Sequence, residues 1–272
     1  MAAPTILKCD STQGIPLKAC ICPYEGLFLS EYVHGETPIL KAAYLIGPHF
    51  KSRHPSTLFL SSQNEEGSDL FPDGICRYVP WKIVQQTESE ISAVLSGETE
   101  WEGSPLKTWQ GQMFEATCRI SLNSEKLQYD LTIISETDSL IGCEMRFSSN
   151  QDDVILSDLS SKYYENGILK EIPLKWQQRD EKNQSTLSLT ETYNHAFRPY
   201  NHPLIGNIIL RQESHDQVIS FSSNAEECSW HLFKPEKADE FSIRPISSQN
   251  PWRPNLTVSR ISISIALQSR KN

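Results

Sequence analysis

Apolar residues along this chain mostly recur at every second position. Phe114, Ala116, Cys118 and Ile120 alternate with polar neighbours, and so do Leu127, Tyr129, Leu131 and Ile133. Successive side chains of an extended strand point to opposite faces, so each run describes a strand with one buried face. Asn123-Ser124 lies between the two runs and supplies a turn, which predicts a hairpin. Further strands are expected over Ile39–Leu45, Trp81–Val84, Ile91–Leu95, Leu140–Phe147, Leu169–Trp176, Ile205–Leu210, Val218–Phe221 and Trp230–Phe233. In the last segment, Leu256–Leu267, Ile261, Ile263, Ile265 and Leu267 share one face while Leu256 and Val258 fall on the other. A bulge near Ser259-Arg260 would bring both halves onto the core.

No stretch of ten or more residues carries a 3.6-residue stripe, and Pro (16) outnumbers Gly (12). Both features point to strands joined by loops. The charged, amide-rich stretch Arg179–Ser185 reads as a surface loop, because strand periodicity continues on both sides of it. The expectation is an all-β chain, folded as a large antiparallel β-sandwich in one domain spanning residues 1–272.

Composition removes several function classes. A formal charge of −9, with 25 basic residues dispersed among 34 acidic ones, argues against nucleic acid and against an anionic membrane surface, since both need clustered Lys and Arg. No apolar run approaches the ~18 residues of a membrane span. Lys8 and Asp10 interrupt the start where an export signal needs an unbroken apolar core, so the protein is expected in the cytoplasm. Seven scattered cysteines suit a reducing compartment, and Cys20 and Cys22 lack the further ligands of a zinc site. The spacings of His49, His54, His195 and His202 do not make a metal set either. Neither a Gly-x-Ser-x-Gly elbow nor a Gly-rich phosphate loop occurs, so no metal and no cofactor is expected.

Three segments carry candidate chemistry. They are Asp73-Gly74-Ile75-Cys76-Arg77-Tyr78-Val79-Pro80-Trp81, Gly142-Cys143-Glu144-Met145-Arg146-Phe147, and Phe233-Lys234-Pro235 with Phe241-Ser242-Ile243-Arg244-Pro245. In order and spacing they resemble the aldose 1-epimerase superfamily over about residues 14–267, and within it the glucose-6-phosphate 1-epimerase branch. That branch reads His-Gly-x-x-Arg-x-x-x-Trp, Gly-x-His-x-x-Phe and a Glu before Pro. The resemblance implies a β-sandwich of the galactose mutarotase type with its site on the concave face of one sheet.

Anomerising a hexose needs a base for the C1 hydroxyl proton and an acid for the ring oxygen. The resemblance places Arg244 where the family has its basic Glu, Glu144 where it has its acidic His, and Asp73 where it has a supporting His. A guanidinium stays protonated and cannot serve as the base. Asn194 stands at the position of an Asp that holds sugar hydroxyls, and Arg77 keeps its family position as a ligand for a sugar oxygen or phosphate. Trp101 and Trp109, flanked by Gly103 and Gly111, are candidates to stack on a sugar ring, against the alternative that they anchor packing. The loop Gly47–Pro55 is the most basic local patch and is a candidate phosphate contact or a solvated loop.

Asp73, Glu144 and Arg244 are expected to converge into an ion-paired cluster, which either fills the former pocket with structure and needs no ligand or leaves Arg244 and Arg77 to bind an anionic ligand while the carboxylates hold hydroxyls. The resulting expectation is a mutarotase-like protein that binds a hexose or hexose 6-phosphate and lacks the usual acid–base pair. The alternatives are an isomerase working through the substituted carboxylates and a non-catalytic protein-interaction role.

Overall fold

The computed structural model describes residues 3–50, 71–150, 152–165, 167–177, 184–199, 202, 204–212, 215–223 and 227–269. In chain order the strands are β1 (Thr5–Asp10), β2 (Pro16–Cys22), β3 (Phe28–His34), β4 (Thr37–Leu40), β5 (Ala42–Phe50), β6 (Lys82–Gln86), β7 (Glu90–Ser96), β8 (Glu100–Trp101), β9 (Ser104–Pro105), β10 (Phe114–Leu122) and β11 (Lys126–Ser135). They continue with β12 (Ser139–Ser148), β13 (Val154–Ser157), β14 (Leu159–Glu165), β15 (Ile168–Glu171), β16 (Ser185–Ser188), β17 (Tyr193–Pro199), β18 (Ile205–Arg211), β19 (His215–Ser222), β20 (Ser229–Lys234), β21 (Glu240–Ile246) and β22 (Val258–Ser269). Helix α1 (Leu106–Gln110) is a single turn and a half, and Ile75–Arg77 and Leu174–Trp176 form 3-10 turns.

Two large antiparallel sheets hold most of these strands. One runs β1-β2-β3-β5-β12-β21-β20-β17-β14-β15, with β4 attached to β3, and the other β16-β13-β18-β19-β22-β11-β10-β7-β6. Period-two alternation explains why they stack. Cys143, Met145 and Phe147 of β12 and Cys118, Ile120, Ile261, Ile263 and Ile265 of β10 and β22 all enter one apolar cluster. Burying each large aliphatic side chain contributes about 1.5–3 kcal/mol, so a sheet face of this kind cannot stay exposed. All seven cysteines are free thiols, and no helix among the described residues is long and apolar enough to cross a membrane.

The predicted hairpin is present as β10 and β11, with Leu122 opposite Leu127. Its turn is closed by Asn123 Oδ1, which accepts from the amides of Glu125 and Lys126, each at 2.9 Å. Three expectations require correction. The strand expected over Ile39–Leu45 is two, broken at Lys41, whose amide leaves the β3–β4 pairing to donate to the Arg146 carbonyl at 3.0 Å. The segment Leu169–Trp176 is strand only to Glu171, because Pro173 offers no N–H and the chain turns into the 3-10 turn. The bulge expected near Ser259-Arg260 is absent: β22 pairs with β11 in unbroken register from Val258 opposite Ile134 to Ala266 opposite Lys126. Val258 therefore faces outward, and Ser259 takes the inward position by donating its hydroxyl to the Ser139 carbonyl at 2.8 Å. Lys51–Pro55 of the basic loop and Arg179–Asn183 of the amide-rich stretch lie outside the described residues.

Candidate functional site

The segment Asp73–Trp81 folds into a compact local unit. Asp73 takes a positive φ of 59°, which Asp tolerates better than most residues, and its carbonyl accepts from the amide of Gly47 at 2.8 Å. Gly74 follows at φ 94°, so close to Gly47 that a Cβ would lie 2.4 Å from its carbonyl carbon. The 3-10 turn then projects Arg77, and the indole N–H of Trp81 donates to the Cys76 carbonyl at 2.9 Å to close the unit. The spacing from Asp73 through Arg77 to Trp81 thus has a local structural basis, and it delivers Arg77 to the sheet.

Central strands supply the rest. On β12 the positions that alternate with core-facing Cys143, Met145 and Phe147 are Glu144 and Arg146, so both turn away from the core. The β12–β21 register, with Gly142 opposite Ile246 and Met145 opposite Ile243, sets Glu144 across from Arg244. Gly142 is required at this crossing, since a Cβ there would stand 2.3 Å from the Pro245 carbonyl oxygen. On the next strand His231 is opposite Arg244 and Phe233 opposite Ser242, and on β17 Asn194 is opposite Phe233.

These placements gather three guanidinium groups around one carboxylate. Glu144 Oε1 accepts from Arg244 Nη2 at 3.0 Å and from Arg146 Nε at 3.1 Å, while Arg77 Nη2 stands 3.3 Å from Oε2. Asp73 enters through Arg77, whose Nη1 donates to Asp73 Oδ2 at 2.7 Å. Tyr44, opposite Glu144 on β5, lies under two of the cations, with Arg77 4.5 Å and Arg146 4.8 Å from its ring centroid. Arg244 also donates from Nε to Ser242 Oγ at 3.1 Å and lies 5.3 Å from the Phe233 ring centroid.

The electrostatics follow from this crowding. Burial alone raises the Glu144 carboxyl, but Arg244, Arg146 and Arg77 outweigh it and bring its pKa down to about 2. Glu144 is therefore an anion at neutral pH. His231 is fully buried and bonded through Nε2 to Asn194 Oδ1 at 2.8 Å. Burial, with Arg244 and His195 adding to it, pushes its pKa well below the ordinary imidazole value. It is a neutral ring.

Glu144, Arg146, Arg244, Ser242 and Phe233 open onto a cavity of about 360 Å³, whose outer wall is the turn from Pro235 to Glu240. Trp101 and Trp109 stand apart from it. They pack edge-to-face at 5.6 Å and against Phe71 at 5.3 and 6.4 Å, Trp101 from β8 and Trp109 from α1. Among the described residues no group of three or more His, Cys, Asp or Glu is placed to hold a metal ion.

Sequence reasoning brought together Asp73, Arg77, Glu144, Arg244 and Asn194 and missed Arg146, Tyr44, Ser242 and His231 as members of the site. Arg146 was within reach, because it is two residues from Glu144 in the same strand and so shares its face. His231 and Tyr44 were not, since nothing in the sequence says that β20 and β5 flank the pair β12 and β21.

No family model and no curated protein matches the chain. Solved structures do. A candidate aldose 1-epimerase from Escherichia coli K12 superposes with a TM-score of 0.70 at 15% identity, covering 98% of this chain and 99% of that one. A GalM/aldose epimerase homologue from C. elegans gives 0.68 at 12% identity, covering 99% and 100%. A galactose mutarotase-like protein from Lactobacillus casei gives 0.64 at 12%, covering 97% and 100%. The chain has the galactose mutarotase-like β-sandwich fold.

Proposed function

We propose that this protein binds a hexose or hexose phosphate at the Glu144–Arg244 face and does not anomerise it. The observation that carries this reading is the state of Glu144, ionised with a pKa of about 2 and held by three guanidinium groups. A general acid must carry a proton at working pH, and Glu144 carries none; a general base must accept one, and Arg244 has no lone pair to offer. Reading the two carboxylates as a substituted acid–base pair would need one pKa to rise, whereas the arginines drive that of Glu144 down.

Binding is supported by the cavity and its walls. Its volume of about 360 Å³ suits a monosaccharide, and small-molecule sites of about 300–1,000 Å³ are usual. Guanidinium N–H groups, the Ser242 hydroxyl and the carboxylate of Glu144 offer donors and acceptors for sugar hydroxyls, and Phe233 offers an apolar face.

Polarimetry on freshly dissolved α-D-glucose and its 6-phosphate tests the first half, with no acceleration over buffer as the expected result. An acceleration that Glu144→Gln abolishes overturns the non-catalytic reading. NMR titration with a panel of hexoses and hexose phosphates tests the second half, and a saturable shift of the Arg244 side-chain Nε resonance is expected. A protein that responds to no member of the panel refutes sugar binding and leaves a protein-interaction role.

A further inference from the structure

We infer that Arg146 is the residue that selects the ligand, by gripping an acidic group, carboxylate or phosphate, borne by the sugar. This rests on the sugar-binding reading above and names the substrate class for the same site. The three guanidinium groups differ in how they are used. Arg244 and Arg146 both line the cavity, but the Arg77 and Arg244 side chains are only 10% and 8% exposed, whereas that of Arg146 is 40% exposed.

Arg146 is also fixed in place by its inner parts alone. Its Nε donates to Glu144 Oε1 at 3.1 Å, and its guanidinium carbon lies 4.8 Å from the Tyr44 ring centroid. Among the described residues, neither terminal nitrogen makes a hydrogen bond, so the outer fork of four N–H donors is left for a ligand. A planar fork of this kind matches two oxygens of a carboxylate or phosphate, and because the plane is already held, little conformational freedom is lost on binding.

Charge in the inner cluster agrees with this. Asp73 and Glu144 supply two negative charges against the three positive charges of Arg77, Arg146 and Arg244. Farther out, Glu240 is paired with Lys41 at 2.7 Å, and Asp239 is exposed to water, where its charge is screened. The cluster itself keeps one net positive charge, beside the open fork, with Glu240 acting on Arg146 from outside it.

The test is calorimetric titration of glucose, glucose 6-phosphate and glucuronate into the wild type, Arg146→Gln and Arg146→Lys at low salt, with thermal melts confirming that each variant folds. At least one acidic sugar is expected to bind about tenfold or more tighter than glucose, and the comparison of the two tells phosphate from carboxylate. Arg146→Gln should bring that ratio close to one. Arg146→Lys, which keeps the charge without the fork, should fall between and serves should the Gln variant not fold. Glucose binding as tightly as both acidic sugars overturns the inference and leaves the sugar-binding reading intact. An undiminished ratio in both variants that fold overturns the role of Arg146 alone, and no binding by any of the three sugars overturns both readings.

Discussion

Arg244 Nη2 donates to Glu144 Oε1 at 3.0 Å, across two neighbouring strands and at positions one hundred residues apart in the chain. The contact joins the two positions where the resembled family would place a base and an acid. Here one partner is a guanidinium, a cation at any physiological pH, and it helps to hold the other as an anion.

Removing the negative charge should therefore cost far more than one hydrogen bond. Glu144→Gln leaves three guanidinium groups facing one another in a site where Glu144 is 1% exposed. Losing one partner of a buried ion pair typically costs about 3–5 kcal/mol. Urea unfolding at pH 7 is expected to show a loss in that range, and a loss under 1 kcal/mol would mean that solvent screens the cluster.

Acid should destabilise the protein in two stages. His231 and His195 both have pKa values lowered in the fold, chiefly by burial. The unfolded chain therefore binds protons first as pH falls below about 6.5, and stability drops by up to about 1.4 kcal/mol per pH unit for each ring. Glu144 adds a second decline from about pH 4.5 toward 2, worth about 3 kcal/mol in all, as its depressed pKa is passed. His231→Gln should remove part of the first decline and none of the second, checked by unfolding free energies from pH 8 to 3.

Gly74→Ala should disturb the site from outside it. At φ 94°, with a would-be Cβ 2.4 Å from the Gly47 carbonyl carbon, the turn must move, at a cost of about 1–3 kcal/mol. Since this turn sends Arg77 to Glu144, thermal stability and the Arg77 side-chain NMR signals should change together. A stable variant with an unmoved Arg77 signal would detach the turn from the cluster.

Trp101 and Trp109 are expected to matter for stability and not for ligand affinity. Their edge-to-face contact, measured by a double-mutant cycle to Ala, should be worth about 0.5–1.5 kcal/mol. Loss of sugar binding in Trp101→Ala at unchanged stability would return that residue to the binding surface.

Strands whose one face meets the core and whose other meets water announce themselves by alternation, and this is why β10, β11 and the body of β22 were legible in the sequence. β21 was not read as a strand, because it is buried on nearly every residue and carries Ser242, Arg244 and Pro245 in its middle. Its outward face is covered by the charge cluster, so polarity no longer marks the side away from the core. The bulge expected in β22 failed for a related reason. Periodicity assumes that inward positions are apolar, while Ser259 is accepted inside because its hydroxyl donates a hydrogen bond to the Ser139 carbonyl.

The sequence by itself determined that the chain is antiparallel β structure, that Asp73, Arg77 and Trp81 lie within nine residues of one another, and which residue types stand at the positions of a resembled site. Those properties depend on neighbours a few residues away. Only the tertiary structure decided what the cluster is. Strand order sets β12 between β5 and β21, and with it Tyr44 and Arg244 on either side of Glu144. Whether a buried carboxyl is an acid or an anion depends on charges within a few ångströms, and these come from segments about 70 and 100 residues away along the chain.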